Sequence, residues 1–320
     1  MSQDAETPVS FEQAVQSHAA ELKARPGYAL LQAWQGMDLA ATRRAFIAAL
    51  QAAGIDEAEA DARFLIAHVI APHTLAQALA DPALWSWQAA ANLADLAARR
   101  LQRVPLSQVL GHQPFWTLDL KVTSDVLTPR ADTETLVEVA LTNFVDGGRV
   151  VDLGTGSGAI LLAILSERPA ASGIGIDSSE AALTVARENA RLTELSERVE
   201  FRSGNWADDL PDDAYDLAVS NPPYIASEVL AGLEPEVRDH EPTQALDGGA
   251  DGLDVYHLLI PELFRIVKPG GMAAVEIGFD QARAVTALFG VAGFGEVALS
   301  CDLAGQPRVV AGMKPKTVSR

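Results

Sequence analysis

A chain of 320 residues has room for two domains and a full core. Its residues are 48% hydrophobic and 21% charged, an ordinary globular balance that excludes a disordered or fibrous protein. Lys and Arg number 24 against 43 Asp and Glu, and the resulting charge of −19 argues against stable binding to a nucleic-acid backbone.

In chain order, Phe11, Val15, Ala19 and Leu22 trace one face of a predicted helix that Arg25-Pro26-Gly27 breaks, and the first ten residues are expected to fray. Residues 1–36 therefore read as an N-terminal extension. From Met37 to Arg103 good helix formers dominate, interrupted only by Gly54, Pro72 and Pro82. Phe46, Leu50, Phe64, Leu65 and Val69 recur at three- and four-residue spacings, so residues 37–104 are expected to form a small helical domain around one core. Residues 105–131 change to alternation: Phe115, Thr117, Asp119 and Lys121 interleave with Trp116, Leu118, Leu120 and Val122, the pattern of a β-hairpin linker. A helix is expected to begin near Asp132 or Thr133, where a short side-chain acceptor would cap free amides and Glu134 suits the positive helix end.

Residues 132–320 read as a second, larger domain. After Gly147-Gly148, strand and helix alternate: strand 149–153, helix 159–165, strand 173–177, helix 180–190, then strands 199–203, 215–220 and 272–277. Such alternation predicts a parallel, doubly wound α/β sheet. A helix over 253–267 should lead into a turn at Lys268-Pro269-Gly270-Gly271, and segments 297–301 and 308–311 should close the sheet as an antiparallel pair.

Two loops of this domain carry chemistry. Val150-Val151-Asp152-Leu153 runs into Gly154-Thr155-Gly156-Ser157-Gly158 and then a helix, a bare-backbone turn where ligands of open α/β sheets bind. Asp177, ending the next strand, is placed to accept both hydroxyl hydrogens of an adenosine ribose, or to cap the following helix. The glycines fit a nicotinamide dinucleotide as well as S-adenosylmethionine. Asp152 favours the latter, because a carboxylate attracts the cationic amino-acid end of that cofactor and repels a pyrophosphate. The second loop is Asn221-Pro222-Pro223-Tyr224, after the apolar run Tyr215–Ser220. The Asn221 side-chain oxygen and the Pro222 carbonyl can accept from a planar NH2 group, Tyr224 can cover its face, and Pro223 stiffens the cup. Asn-Pro and Pro-Pro are also common loop punctuation.

Other chemistries find less support. The single cysteine, Cys301, excludes an internal disulfide and a cysteine cage and is expected in the core. His18, His68, His73, His112, His240 and His257 lack the short spacings of a metal site, so no metal is expected. The N-terminus carries no basic and apolar leader, and no run approaches the ~18 apolar residues of a membrane span, which leads to the expectation of a cytoplasmic protein without a membrane partner.

Asp152 to Gly158, Asp177 and Asn221 to Tyr224 together resemble the class I S-adenosylmethionine-dependent methyltransferases that act on amide or amino nitrogen. Val126-Leu127-Thr128-Pro129-Arg130-Ala131-Asp132-Thr133-Glu134, Val237-Arg238-Asp239-His240-Glu241-Pro242 and Ala245-Leu246-Asp247-Gly248-Gly249 narrow the resemblance to the HemK/PrmC family of protein-glutamine methyltransferases, over roughly residues 38 to 312. It implies a helical substrate-recognition domain, a hairpin linker, a seven-stranded methyltransferase domain, and peptide-chain release factors as partners, methylated on the glutamine of their Gly-Gly-Gln loop. It further implies that Gly154, Thr155, Gly156, Ser157, Gly158, Asp177 and Asn221 hold S-adenosylmethionine, with Trp206 against its adenine. Asn221, Pro222, Pro223 and Tyr224 would bind the substrate amide, the first two as the catalytic acceptors.

Asn205 stands where the family often has Asp, Ala131 replaces a common Pro, and residues 1–36 extend beyond the usual start. A sister family acting on a ribosomal large-subunit protein shares the Asn-Pro-Pro-Tyr cup, but Pro129 to Glu134 resembles the release-factor type. Adenine methyltransferases acting on a flipped base would suit the same cup, and the acidic charge argues against them.

Overall fold

The computed structural model describes residues 17–316, in two compact units that part between Leu110 and Gly111. Phe11, Val15 and the start expected to fray lie outside the described residues.

The first unit is helical: Ala19–Lys23, Tyr28–Ala33, Leu39–Ala52, Ala58–Ile70, Leu75–Ala80, Trp87–Leu101 and Leu106–Leu110. Side-chain acceptors begin several of these helices. Asp38 accepts from the Ala41 amide at 2.7 Å, Ser86 from Ala89 at 3.1 Å, and Thr74 forms a capping box with Gln77. Phe46, Leu50, Leu65, Ile66 and Leu93 are wholly buried, joined in the same core by Leu22, Leu31 and Trp34 from the segment before residue 37. Gly27 explains that continuity, since a Cβ there would collide with the Ala94 backbone, and its amide donates to Asp95 at 2.9 Å. Phe64 departs from its expected core place and is exposed, because the buried stripe of its helix runs through Ala58, Ala62, Leu65 and Ile66. One charge pair is buried here, Arg100 Nε to Asp61 at 2.6 Å.

The second unit opens with the hairpin β1 (His112–Phe115) and β2 (Leu118–Lys121), paired antiparallel through a turn in which Trp116 has φ +55°. Residues 106–110, expected within the linker, are helical and belong to the first unit. The sheet follows with β3 (Arg149–Leu153), β4 (Ser172–Asp177), β5 (Val199–Ser203), β6 (Tyr215–Ser220), β7 (Val267–Glu276), β8 (Gly295–Cys301) and β9 (Pro307–Met313). Its seven strands lie in the order β5-β4-β3-β6-β7-β9-β8, parallel except that β9 runs antiparallel to both neighbours. Helices Glu134–Asn143, Ala159–Glu167 and Glu180–Leu192 bury their apolar stripes with Val150, Leu217 and Val219, while Asp254–Ile266 and Ala282–Ala292 pack with Val151, Leu153, Ala218 and Val275. This is the doubly wound α/β class.

Two local readings need correction. Lys268 to Gly271 is no free turn between helix and strand: Tyr215 pairs with Val267 and Leu217 with Met272, so these four residues bulge within β7. Cys301 is exposed rather than in the core, because β8 is an edge strand with one open face. Among the described residues no helix is long and apolar enough to cross a membrane.

Candidate active site

The sheet order reverses at β3, and the site lies beyond the carboxyl ends of β3 and its neighbour β6. Asp152 pairs with Val219 in parallel register, and the Ser220 hydroxyl donates to the Leu153 carbonyl at 2.6 Å. The turn beginning at Gly154 and the loop beginning at Asn221 therefore leave the sheet side by side. They face a cavity of about 180 Å³ lined by Gly154, Thr155, Gly156, Ser157, Asp177, Trp206, Asn221 and Pro223.

The glycine turn is tied down from below. Gly154 and Thr155 donate their amides to the Ile176 carbonyl at 2.9 and 3.0 Å. Gly156, with φ +55°, has nothing within 4 Å of where a Cβ would stand, so its bare backbone leaves space to the cavity. Gly158 does not line the cavity; it sits at φ +81° as the entry to helix Ala159–Glu167, where a Cβ would press on Phe201 at 3.2 Å. Buried Asn189 fastens the turn to the hairpin, donating to the Ser157 and Lys121 carbonyls and accepting from the Lys121 amide.

Asp177 supports this turn, its Oδ2 accepting from Gly156 N at 2.8 Å and its Oδ1 from Ser179 N at 2.9 Å. Ser179, not Asp177, caps the following helix. Trp206 reaches its place through a left-handed backbone, φ +53°, and its ring passes 3.4 Å from the Cβ position of Gly154. Asn205 also lines the cavity and donates weakly to Asp208 at 3.4 Å.

Asp152 lies under the turn, wholly buried and outside the cavity lining. Thr155 donates to its Oδ2 at 2.7 Å, and Oδ1 has no hydrogen-bond partner. Burial pushes its carboxyl up to about 7, against the Thr155 hydrogen bond and with the help of the Asp177 charge. Its expected role as a direct contact for a cofactor ammonium needs amending: any attraction acts from beneath the glycines.

Of the tetrapeptide, Asn221 and Pro223 line the cavity, whereas Pro222 is buried and Tyr224 stands outside the lining. Asn221 Nδ2 donates to Thr133 Oγ1 at 3.4 Å, which leaves Asn221 Oδ1 as the acceptor end. The Tyr224 hydroxyl donates to Glu276 Oε1 at 3.3 Å, and its carbonyl accepts from Gln281 Nε2 at 2.9 Å. Gly248 and Gly252 allow close passage of the next segment, since a Cβ on either would collide with the Tyr224 backbone.

The far wall is made by Thr128, Pro129, Arg130 and Thr133, with Gln244 and Ala245. Arg130 pairs with the buried Glu241 at 2.6 Å, joining two segments that carry the family likeness in the sequence. Asp132 caps nothing; it pairs with Arg308 at 3.1 Å, and helix Glu134–Asn143 starts from a short 3-10 turn without a side-chain cap. Among the described residues no cluster of three or more His, Cys, Asp or Glu could hold a metal ion.

Family models match two parts of the chain, a methyltransferase domain over residues 144–284 and a PrmC N-terminal domain over residues 41–111. The release factor glutamine methyltransferase of Caulobacter vibrioides is 49% identical over 83% of this chain and 92% of its own length. Those of Rhodospirillum rubrum and Cereibacter sphaeroides are 46% and 44% identical, over 81% and 85% of this chain and 80% and 97% of their own. With a glycine turn and an Asn-Pro-Pro-Tyr loop side by side at the sheet's switch point, and relatives matched over most of both chains, this chain belongs to the release factor glutamine methyltransferase family.

Proposed function

We infer that this chain transfers a methyl group from S-adenosylmethionine to the side-chain amide nitrogen of the glutamine in the Gly-Gly-Gln loop of peptide-chain release factors. The observation that carries this reading is the parallel register of β3 and β6, which opens the glycine turn and Asn221 onto one cavity. The helical domain would recognise the protein substrate, in the cytoplasm and without nucleic acid or membrane.

The residues fit the cofactor. Space above Gly156 admits a ligand against the main chain, the Asp177 carboxylate suits ribose hydroxyls, and the Trp206 face suits an adenine. Where it is ionised, above about pH 7, Asp152 beneath the turn would favour a cation over a pyrophosphate. Bound S-adenosylmethionine supplies an activated methyl group on sulfonium and a neutral thioether as leaving group.

The chain's own work is to orient a weak nucleophile. An amide nitrogen shares its lone pair with its carbonyl, so attack requires that nitrogen to pyramidalise and take on positive charge. Asn221 Oδ1 and the Pro222 carbonyl would accept its two hydrogens and stabilise that charge as it develops. Holding the nitrogen in line with the methyl carbon can be worth several kcal/mol, as for other well-oriented reactions. The N-methylated cation is a strong acid that loses its proton to water, so no dedicated base is needed.

The test offers methyl-labelled donor with purified release factors, the ribosomal large-subunit protein and DNA in parallel, and maps the label by mass spectrometry. Label on the release-factor glutamine is expected; label on the other acceptors alone would refute the reading. Asn221→Ala should bind donor with at most a few-fold loss while kcat falls about 100-fold or more, the scale for deleting one preorganised polar group.

A further inference from the structure

Asn221 can do this work only one way round. Its amide has an acceptor end and a donor end of nearly equal size, and a half-turn would present NH2 to the substrate's NH2. Something must hold the donor end away. The group that takes Asn221 Nδ2 is the Thr133 hydroxyl, on the short 3-10 turn before helix Glu134–Asn143.

A hydroxyl both donates and accepts, so Thr133 selects an orientation only if its own proton has a fixed destination. The Glu276 carboxyl, at the end of β7, provides it: Thr133 faces that carboxyl and favours its charged form as a donor does, and the Tyr224 hydroxyl donates to Oε1 at 3.3 Å. Glu276 is buried, its Oε2 is open to a donor, and its main-chain carbonyl accepts from Tyr256 at 2.8 Å. An ionised carboxylate is acceptor-only, so both hydroxyls must donate to it, and the lone pairs of Thr133 remain for Asn221.

We propose that Thr133 is a positioning residue for methyl transfer: through its hydroxyl the Glu276 carboxylate fixes which end of Asn221 faces the substrate, while through Tyr224 it anchors the other end of the same tetrapeptide. The proposal rests on the reading of Asn221 as the amide acceptor. It makes the relay sensitive to acid. The groups facing Glu276 are Thr133 and Asp132 of the 3-10 turn, Tyr224 of the loop after β6, and Arg308 of β9. Burial is the largest influence and lifts the Glu276 carboxyl to about 7, over the opposing pull of Thr133, Arg308 and Tyr224. Below that pH the carboxyl carries a proton and becomes a donor as well, Thr133 loses its acceptor-only partner, and kcat should fall.

The experiment measures donor affinity by calorimetry, and kcat with saturating donor and release factor, for the wild type, Thr133→Val, Thr133→Ser, Glu276→Gln and Asn221→Ala with and without Thr133→Val. Thr133→Val keeps the side-chain shape and should bind donor as the wild type does, with kcat down about 10- to 100-fold, the scale of an ångström-sized misplacement. Thr133→Ser should recover most of it. In the Asn221→Ala background, Thr133→Val should cost nothing more, because the group it positions is gone. Glu276→Gln should remove the acid limb of the kcat profile near pH 7. A Thr133→Val enzyme within twofold of wild type, a serine variant as slow as the valine one, or losses that multiply in the double variant would each overturn the proposal. A wild type that leaves release factors unmodified would overturn the underlying reading as well.

Discussion

Asp152→Asn tests the electrostatics of the glycine turn without using activity. The Asp152 carboxyl is wholly buried; burial, aided by the Asp177 charge, lifts it from an ordinary value of 3.8 to about 7 despite the Thr155 hydrogen bond. A group raised on folding stabilises the folded state fully below its unfolded pKa and loses that contribution as pH rises through the folded one. With about 1.4 kcal/mol per pKa unit, this carboxyl should withdraw roughly 3 kcal/mol of stability between pH 5 and pH 8.5. Asparagine keeps an oxygen for the Thr155 hydroxyl and places its NH2 where Oδ1 has no partner, a pH-independent cost of about 1 to 3 kcal/mol. The variant should be the less stable protein at pH 5 and gain about 3 kcal/mol on the wild type by pH 8.5. Urea titrations at both pH values, with unfolding of the sheet read by pulse proteolysis at β3 and β6, give the comparison. Glu276 titrates in both proteins and cancels. A difference between variant and wild type that is the same at both pH values would show that the carboxyl under the turn is not held protonated by burial.

Asp177→Ala removes the acceptor of the Gly156 and Ser179 amides together with the carboxylate assigned to the ribose, so donor Kd should rise about 10- to 100-fold, the value of one or two charge-assisted hydrogen bonds; unchanged affinity by calorimetry would reject that assignment. Gly156→Ala puts a methyl group into the cavity from a left-handed backbone. It should lower stability by about 1 kcal/mol and weaken donor binding at least about tenfold, and wild-type binding would place the cofactor elsewhere.

How far the sequence revealed this site follows from the range of the interactions involved. Strands β3, β4 and β6 were legible because buried apolar runs end in glycine or polar turns, and that signal is local. The bulge in β7 was hidden because Lys268-Pro269-Gly270-Gly271 has the composition of a turn whether it reverses the chain or stays within a strand; only the pairing of Val267 and Met272 with β6 decides. Phe64 misled for a similar reason, since a helical spacing does not say which stripe faces the core.

The site divides along the same line. Which groups could hold a cofactor or grip an amide can be read from a few consecutive residues, and Gly154, Gly156, Asp177 and Asn221 do open on one cavity or support its floor. Which way those groups point is set by partners far along the chain: Thr133 stands 88 residues from Asn221, and Glu276 stands 52 from Tyr224. Neither partner's role has a local signature, because Thr before a helix can equally be a cap and Glu at a strand end can equally be a paired or solvated charge. Methyl transfer to an amide depends on direction more than on reactivity, since a misdirected acceptor cannot stabilise charge that develops on one side of the nitrogen. The residues that give this site its specificity for an NH2 group are therefore sought among the buried hydrogen-bond partners of the tetrapeptide as well as within it, which is where Thr133 and Glu276 lie.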